Sequence, residues 1–160
     1  THMMSGYVHK AYPAIYSDLA RHAAFDNMLL IRGVEGGVVP SLKQQGRYFS
    51  YEDFKEAHQN LLDPTSIGLS QRNRNVPLPP HLVDIENSNN EKKLDQLANC
   101  AVDLGLRALS GEPGETRDSL IYSGAIMLSN LNHSSLSEAA DIVRTLLDSG
   151  AALSVFNQHP

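Results

Sequence analysis

Asn27-Met28-Leu29-Leu30-Ile31-Arg32-Gly33-Val34-Glu35-Gly36-Gly37-Val38-Val39-Pro40 is the stretch whose reading decides the fold. The apolar run Met28 to Ile31 follows the turn pair Asp26-Asn27 and ends in a segment broken by Gly33, Gly36, Gly37 and Pro40. So short a run between turn signals predicts a buried strand rather than a helix. Upstream, Tyr12-Pro13 opens a helix, because the N–H that proline lacks has no partner in a first turn. Ile15, Tyr16, Leu19, Ala20 and Ala23 recur at helical spacing and make its apolar face. A helix feeding directly into a buried strand is α/β grammar. The expected fold class is α/β, a sheet with flanking helices.

Downstream, Arg47-Tyr48-Phe49-Ser50-Tyr51 is β-prone by its aromatics. Asp53 to Leu62 reads as a short helix with a poor period. From Asp63 to Asn90 prolines 64, 77, 79 and 80 and the polar cluster Asn87-Ser88-Asn89-Asn90 predict an irregular surface excursion. Ile67, Leu69, Leu78, Leu82 and Val83 are its expected pins. Three helices follow. Leu94, Leu97, Ala98, Ala101, Leu104 and Leu109 stripe the first, closed by Gly111. The second, about Thr116 to Asn130, is apolar almost all round at its centre and should be buried, with Gly124 and Ala125 admitting a neighbouring backbone. The third starts with the capping-box pattern Ser135-Leu136-Ser137-Glu138, buries Ala139, Ile142, Val143, Leu146 and Leu147, and stops at Gly150.

A chain of 160 residues supports one domain with a real core. Thr1-His2-Met3 reads as an expression-tag remnant, leaving a single α/β domain over residues 4–160. A formal net charge of −5 argues against general nucleic-acid or anionic-membrane binding. Arg72 and Arg74 are the nearest thing to a local basic patch. The single cysteine, Cys100, excludes an intramolecular disulfide and fits a reducing cytoplasm. No apolar run is long enough to span a bilayer.

Candidate chemistry gathers at the end of the first strand. Successive N–H groups in Gly33-Val34-Glu35-Gly36-Gly37 could cradle a phosphate, although neither dinucleotide-binding nor P-loop spacing is present. Without a ligand the same residues make a plain glycine turn. Arg32 and Glu35 are the charged pair beside it, either holding a phosphate and a metal or forming a solvated salt bridge. Among seven histidines, none has the spacing of a zinc helix, and His9, just before the first helix, is the one placed to line a cleft. Cys100 reads as a core residue. Arg117-Asp118 suits a helix start, where an aspartate complements the dipole.

Three pieces in this order resemble the C-terminal portion of the anthranilate phosphoribosyltransferase family: the strand-loop Leu29 to Gly37, the helix start Arg117-Asp118-Ser119-Leu120, and the helix end Asp148-Ser149-Gly150-Ala151-Ala152-Leu153. The resemblance covers Gly6 to Phe156, with a poorly matched middle from Lys43 to Asn90. It implies the C-terminal part of a phosphoribosyl-transfer α/β domain, where magnesium and phosphoribosyl pyrophosphate bind. Full-length members are longer. They begin with a small helical domain that usually makes the dimer, and carry a Gly-Thr-Gly-Gly-Asp pyrophosphate loop and a Lys-His-Gly segment, none of which occurs here.

Where the family has an adjacent Asp-Glu pair for magnesium, this chain has Val38 and Val39. Magnesium is then expected only if a partner or a missing half supplies ligands. The resemblance therefore implies the C-terminal part of a divergent transferase, inactive alone, with no catalytic residue assigned. The alternatives are a ligand-binding module that kept a phosphate-binding cleft, or the second chain of a split transferase. The expected ligand-binding residues are Arg32, Gly33, Glu35, Gly36, Gly37 and His9, and the expected ligand is a phosphorylated small molecule. An exposed apolar face would receive the N-terminal half, a partner chain or another copy.

Overall fold

Asn27–Ile31 forms a strand, β2, whose residues Met28 to Ile31 are all at most 2% exposed, as the apolar run requires. The computed structural model describes residues 1–34, 38–53, 55–74, 76, 77, 79, 91–132 and 134–158. Strand β1 (His2–Gly6) lies parallel to β2 across the helix α1 (Tyr12–His22). Strands β3 (Gly46–Tyr51) and β4 (His58–Leu62) then add antiparallel, giving a mixed open sheet of order β1-β2-β3-β4. The helices α2 (Glu91–Leu109), α3 (Glu115–Asn132), α4 (Leu136–Asp148) and α5 (Ala151–Gln158) complete an α/β fold.

Alternation along β2 divides the core into two layers. Leu29 and Ile31 pack with Ile121, Tyr122, Ala125 and Ile126 of α3 and with Ala139, Ala140, Val143 and Leu147 of α4. Met28 and Leu30 face the other way, onto Tyr7, Ala20 and Tyr51. Burying such side chains contributes about 1.5–3 kcal/mol each. Polar Tyr51 fits the second layer because its hydroxyl donates to the Phe25 carbonyl at 3.0 Å and Arg21 lies 5.1 Å above its ring.

The central helix is α3, and its closest neighbour is α4. A Cβ on Gly124 would come within 3.0 Å of a Val143 methyl, so glycine sets this helix separation. The capping box forms as expected: Ser135 Oγ accepts from the Glu138 N–H, and the Glu138 carboxylate accepts from the Ser135 N–H. Gly150 ends α4 at φ +73°, a left-handed conformation that glycine adopts freely. The excursion after β4 is pinned by Ile67 and Leu69, and by Gln71, whose Nε2 donates to the Glu115 carbonyl at 2.8 Å. The other expected pins, Leu78, Leu82 and Val83, and the cluster 87–90 lie outside the described residues.

Several expectations are corrected. The segment from Asp53 to Leu62 contains strand β4, not a helix; cross-strand bonds to β3 override its weak helical period. Strand β1 includes His2 and Met3, which pair with Asn27 and Met28. On α1 the buried residues are Pro13, Ser17 and Ala20, with Tyr16 partly buried against the same cluster, while Ile15 and Leu19 are exposed because they lie on the turn of the helix away from the sheet. Leu94, Ala98 and Ala101 of α2 are exposed, and Cys100 is only half-buried rather than core. Ile142 and Leu146 of α4 also face out, with Ala140 taking the inner position against α3. Beyond Gly150, which ends α4 as expected, a further helix follows, α5, whose Val155 and Phe156 are exposed. No described helix is long and apolar enough to cross a membrane.

Candidate functional site: the carboxyl end of strand β2

A parallel β1-α1-β2 unit brings three things to one edge: the ends of β1 and β2 and the start of α1. In open α/β sheets this is where ligands sit. Because β3 runs antiparallel to β2, its first residues come to the same edge. The register Leu30↔Phe49, Ile31↔Tyr48 continues one step further, and the Arg32 N–H donates to the Arg47 carbonyl at 3.1 Å. Arg32 and Arg47 are thus direct cross-strand neighbours. Alternation puts both on the face that carries Met28, Leu30, Phe49 and Tyr51, the α1 face.

Tyr7, just past β1, belongs to the same face. It is 5% exposed, its ring meets Phe49 edge-on at 5.7 Å, and the Tyr7 N–H donates to the Ile31 carbonyl at 3.0 Å. Burial pushes its phenol above the usual tyrosine range, and the Arg32 and Arg47 guanidiniums pull it partly back. Both cations therefore act on the Tyr7 hydroxyl. Among the described residues, no carboxylate pairs with either arginine, and nothing hydrogen-bonds the Tyr7 hydroxyl.

The first turn of α1 adds partial positive charge to this edge. Its N-cap residue, Ala11, offers no side-chain cap, and no acid lies in the turn, so nothing in the helix's own first turn offsets the dipole there. His9 is exposed at the same edge, its ring 5.8 Å from Tyr12, which in turn stacks on Tyr16 at 5.7 Å.

Of the expected ligand-binding residues, Arg32, Gly33 and His9 come to this edge, Gly33 buried and the other two exposed. Glu35, Gly36 and Gly37 lie outside the described residues. On either side of them, the Val34 N–H donates to the Val39 carbonyl at 2.8 Å. Val38 and Val39 are 40% and 45% exposed, so their isopropyl groups stand where metal-binding carboxylates were expected. Magnesium requires oxygen ligands, and these side chains have none. Among the described residues, no group of three or more His, Cys, Asp or Glu side chains gathers either. The described part of the loop does not fit a magnesium ion.

Elsewhere, Arg117 in the first turn of α3 is held by Asp148 at the end of α4, a structural tie between helices. Arg72 and Arg74 are exposed on a bend. Sequence reasoning missed Arg47 and Tyr7. The strand containing Arg47 was legible, but its register against β2 was not, because a long loop joins them and no short turn type sets the pairing.

The fold and site define a mixed α/β unit with a cationic edge at the ends of its parallel strands. The chain matches no protein-family model, nor any curated protein.

Proposed function

We propose that this chain is the C-terminal part of a divergent anthranilate phosphoribosyltransferase-like protein, a ligand-binding half that does not catalyse transfer alone. The observation that carries this reading is the inverted burial of α1. The helix turns Pro13, Ser17 and Ala20 to the sheet and leaves Ile15 at 50% and Leu19 at 58% exposed. A helix made to face solvent would put the small and polar side chains outward. A covering layer that finished burying these two would gain about 1 kcal/mol from each. Leu94 and Val102 of α2 and Val155 and Phe156 of α5 are further exposed apolar side chains of the kind another half would cover.

The catalytic part of the reading rests on Val38 and Val39. Transfer from phosphoribosyl pyrophosphate needs positioned charge on the departing diphosphate, and two exposed valines supply none. The same apolar surface suits the second chain of a split transferase, which differs only in whether the covering half is joined to this one. Arg32 and Arg47, which pair with no carboxylate among the described residues, favour retained ligand binding in either case. The test is an assay of the isolated chain with anthranilate, phosphoribosyl pyrophosphate and magnesium. No turnover is expected, and turnover by this chain alone would overturn the reading.

A further inference from the structure

Arg32 and Arg47 are a like-charge pair directly opposite each other on adjacent strands, an arrangement that is destabilising by itself. Hydrogen-bonded antiparallel pairs hold their Cα atoms about 5.5 Å apart, so both guanidiniums can reach one group above the α1 face. Tyr7, more than nine-tenths buried on the same face and in edge contact with Phe49, carries a hydroxyl with no hydrogen-bond partner among the described residues. Each observation is of a different kind: strand register, no carboxylate partner among the described residues, and a hydroxyl on a buried ring that no described residue hydrogen-bonds. All three call for an anion.

We propose that Arg32 and Arg47, with Tyr7 beside them on the same face, form a metal-independent clamp for the phosphate or diphosphate group of a small molecule. The inference rests on reading this strand end as the ligand edge. It adds that guanidiniums, not a metal ion, neutralise the ligand. Arginine suits the task because its planar fork can give two parallel hydrogen bonds to one phosphate. The loss of carboxylates at positions 38 and 39 then has a physical counterpart. A site with two cations and no metal has no use for acids, which would repel the ligand.

The experiment is a calorimetric titration of the whole chain with inorganic pyrophosphate, and separately with inorganic phosphate, in excess EDTA. Saturable binding is expected without metal, tighter for pyrophosphate. Arg47→Gln and Arg32→Gln should each weaken it by about tenfold to hundredfold, while Lys55→Gln, at the far end of β3, should leave it unchanged. The unliganded Arg47→Gln protein should melt no lower than the wild type, since a repulsive pair is removed. A variant that loses binding together with thermal stability would overturn the clamp by making Arg47 structural. Binding seen only with magnesium would overturn the clamp and leave the strand-end site standing. No binding of either anion would also overturn it, whereas the transferase reading stands or falls on the turnover assay.

Discussion

Replacing Gly124 with alanine forces a methyl group into a close contact between α3 and α4. The new Cβ would lie 3.0 Å from one Val143 methyl carbon and 3.3 Å from the other, with the Val143 Cβ at 3.8 Å. Both methyls flank the position, so either alternative staggered rotamer still turns one of them toward it. A β-branched residue on a helix also holds one χ1 strongly. Relief must come from separating α3 and α4 by a few tenths of an ångström. Overpacking of this kind costs about 1–3 kcal/mol, offset by the roughly 1 kcal/mol that alanine gains over glycine in a helix interior. The expected net loss is about 1 kcal/mol. In a Val143→Ala background the obstruction is gone, and Gly124→Ala should then stabilise by up to about 1 kcal/mol. Urea denaturation followed by circular dichroism at the helical band reads all four corners of this cycle, with stability taken at a shared slope. Additive effects, or a Gly124→Ala protein more stable than wild type, would refute the packing argument.

Tyr122 is 1% exposed, its hydroxyl has no hydrogen-bond partner among the described residues, and burial, with Asp63 adding to it, holds its phenol well above the usual range. Tyr122→Phe should therefore raise stability by about 1 kcal/mol in the same denaturation assay; a loss of that size would reveal a partner. Ser135→Ala should destabilise the chain by about 1 kcal/mol at neutral pH through the lost N-cap. The Glu138 carboxyl is held below the usual glutamate range by hydrogen bonds from the Ser135 hydroxyl and N–H. Its contribution is thus complete above that range and lost as pH falls through the lowered value. The melting gap between wild type and Glu138→Gln should shrink on acidification, and a gap that widens would contradict this sign. Finally, the double substitution Val38→Asp, Val39→Glu adds two carboxylates at exposed positions. It should create weak saturable magnesium binding by calorimetry, absent from the wild type, and its failure to do so would show that these positions do not point at a common ion.

Apolar runs and caps were the legible part of this fold. Met28 to Ile31 could only be a short buried strand, and Ser135 with Glu138 marked the start of α4. Gly124 announced a close helix contact, which Val143 fills. β4 stayed hidden because His58-Gln59-Asn60-Leu61-Leu62 lies at an open edge of the sheet, where only one neighbour and half a face demand apolar residues. The inward face of α1 was misread for a related reason. Periodicity locates an apolar stripe but not what covers it, and here Ile15 and Leu19 belong to a face the sheet does not reach. The site was half legible: Arg32 stands beside its glycine loop in sequence, whereas Arg47 and Tyr7 join it only through strand pairing.

The central claim is that this domain works as part of a larger transferase-like protein. An immunoblot of the source cells with an antibody raised against this domain tests it most directly. The account predicts a band well above the 17.5 kDa of this chain. A single band at that mass, with the chain running as a stable monomer in gel filtration of the same lysate, would contradict it.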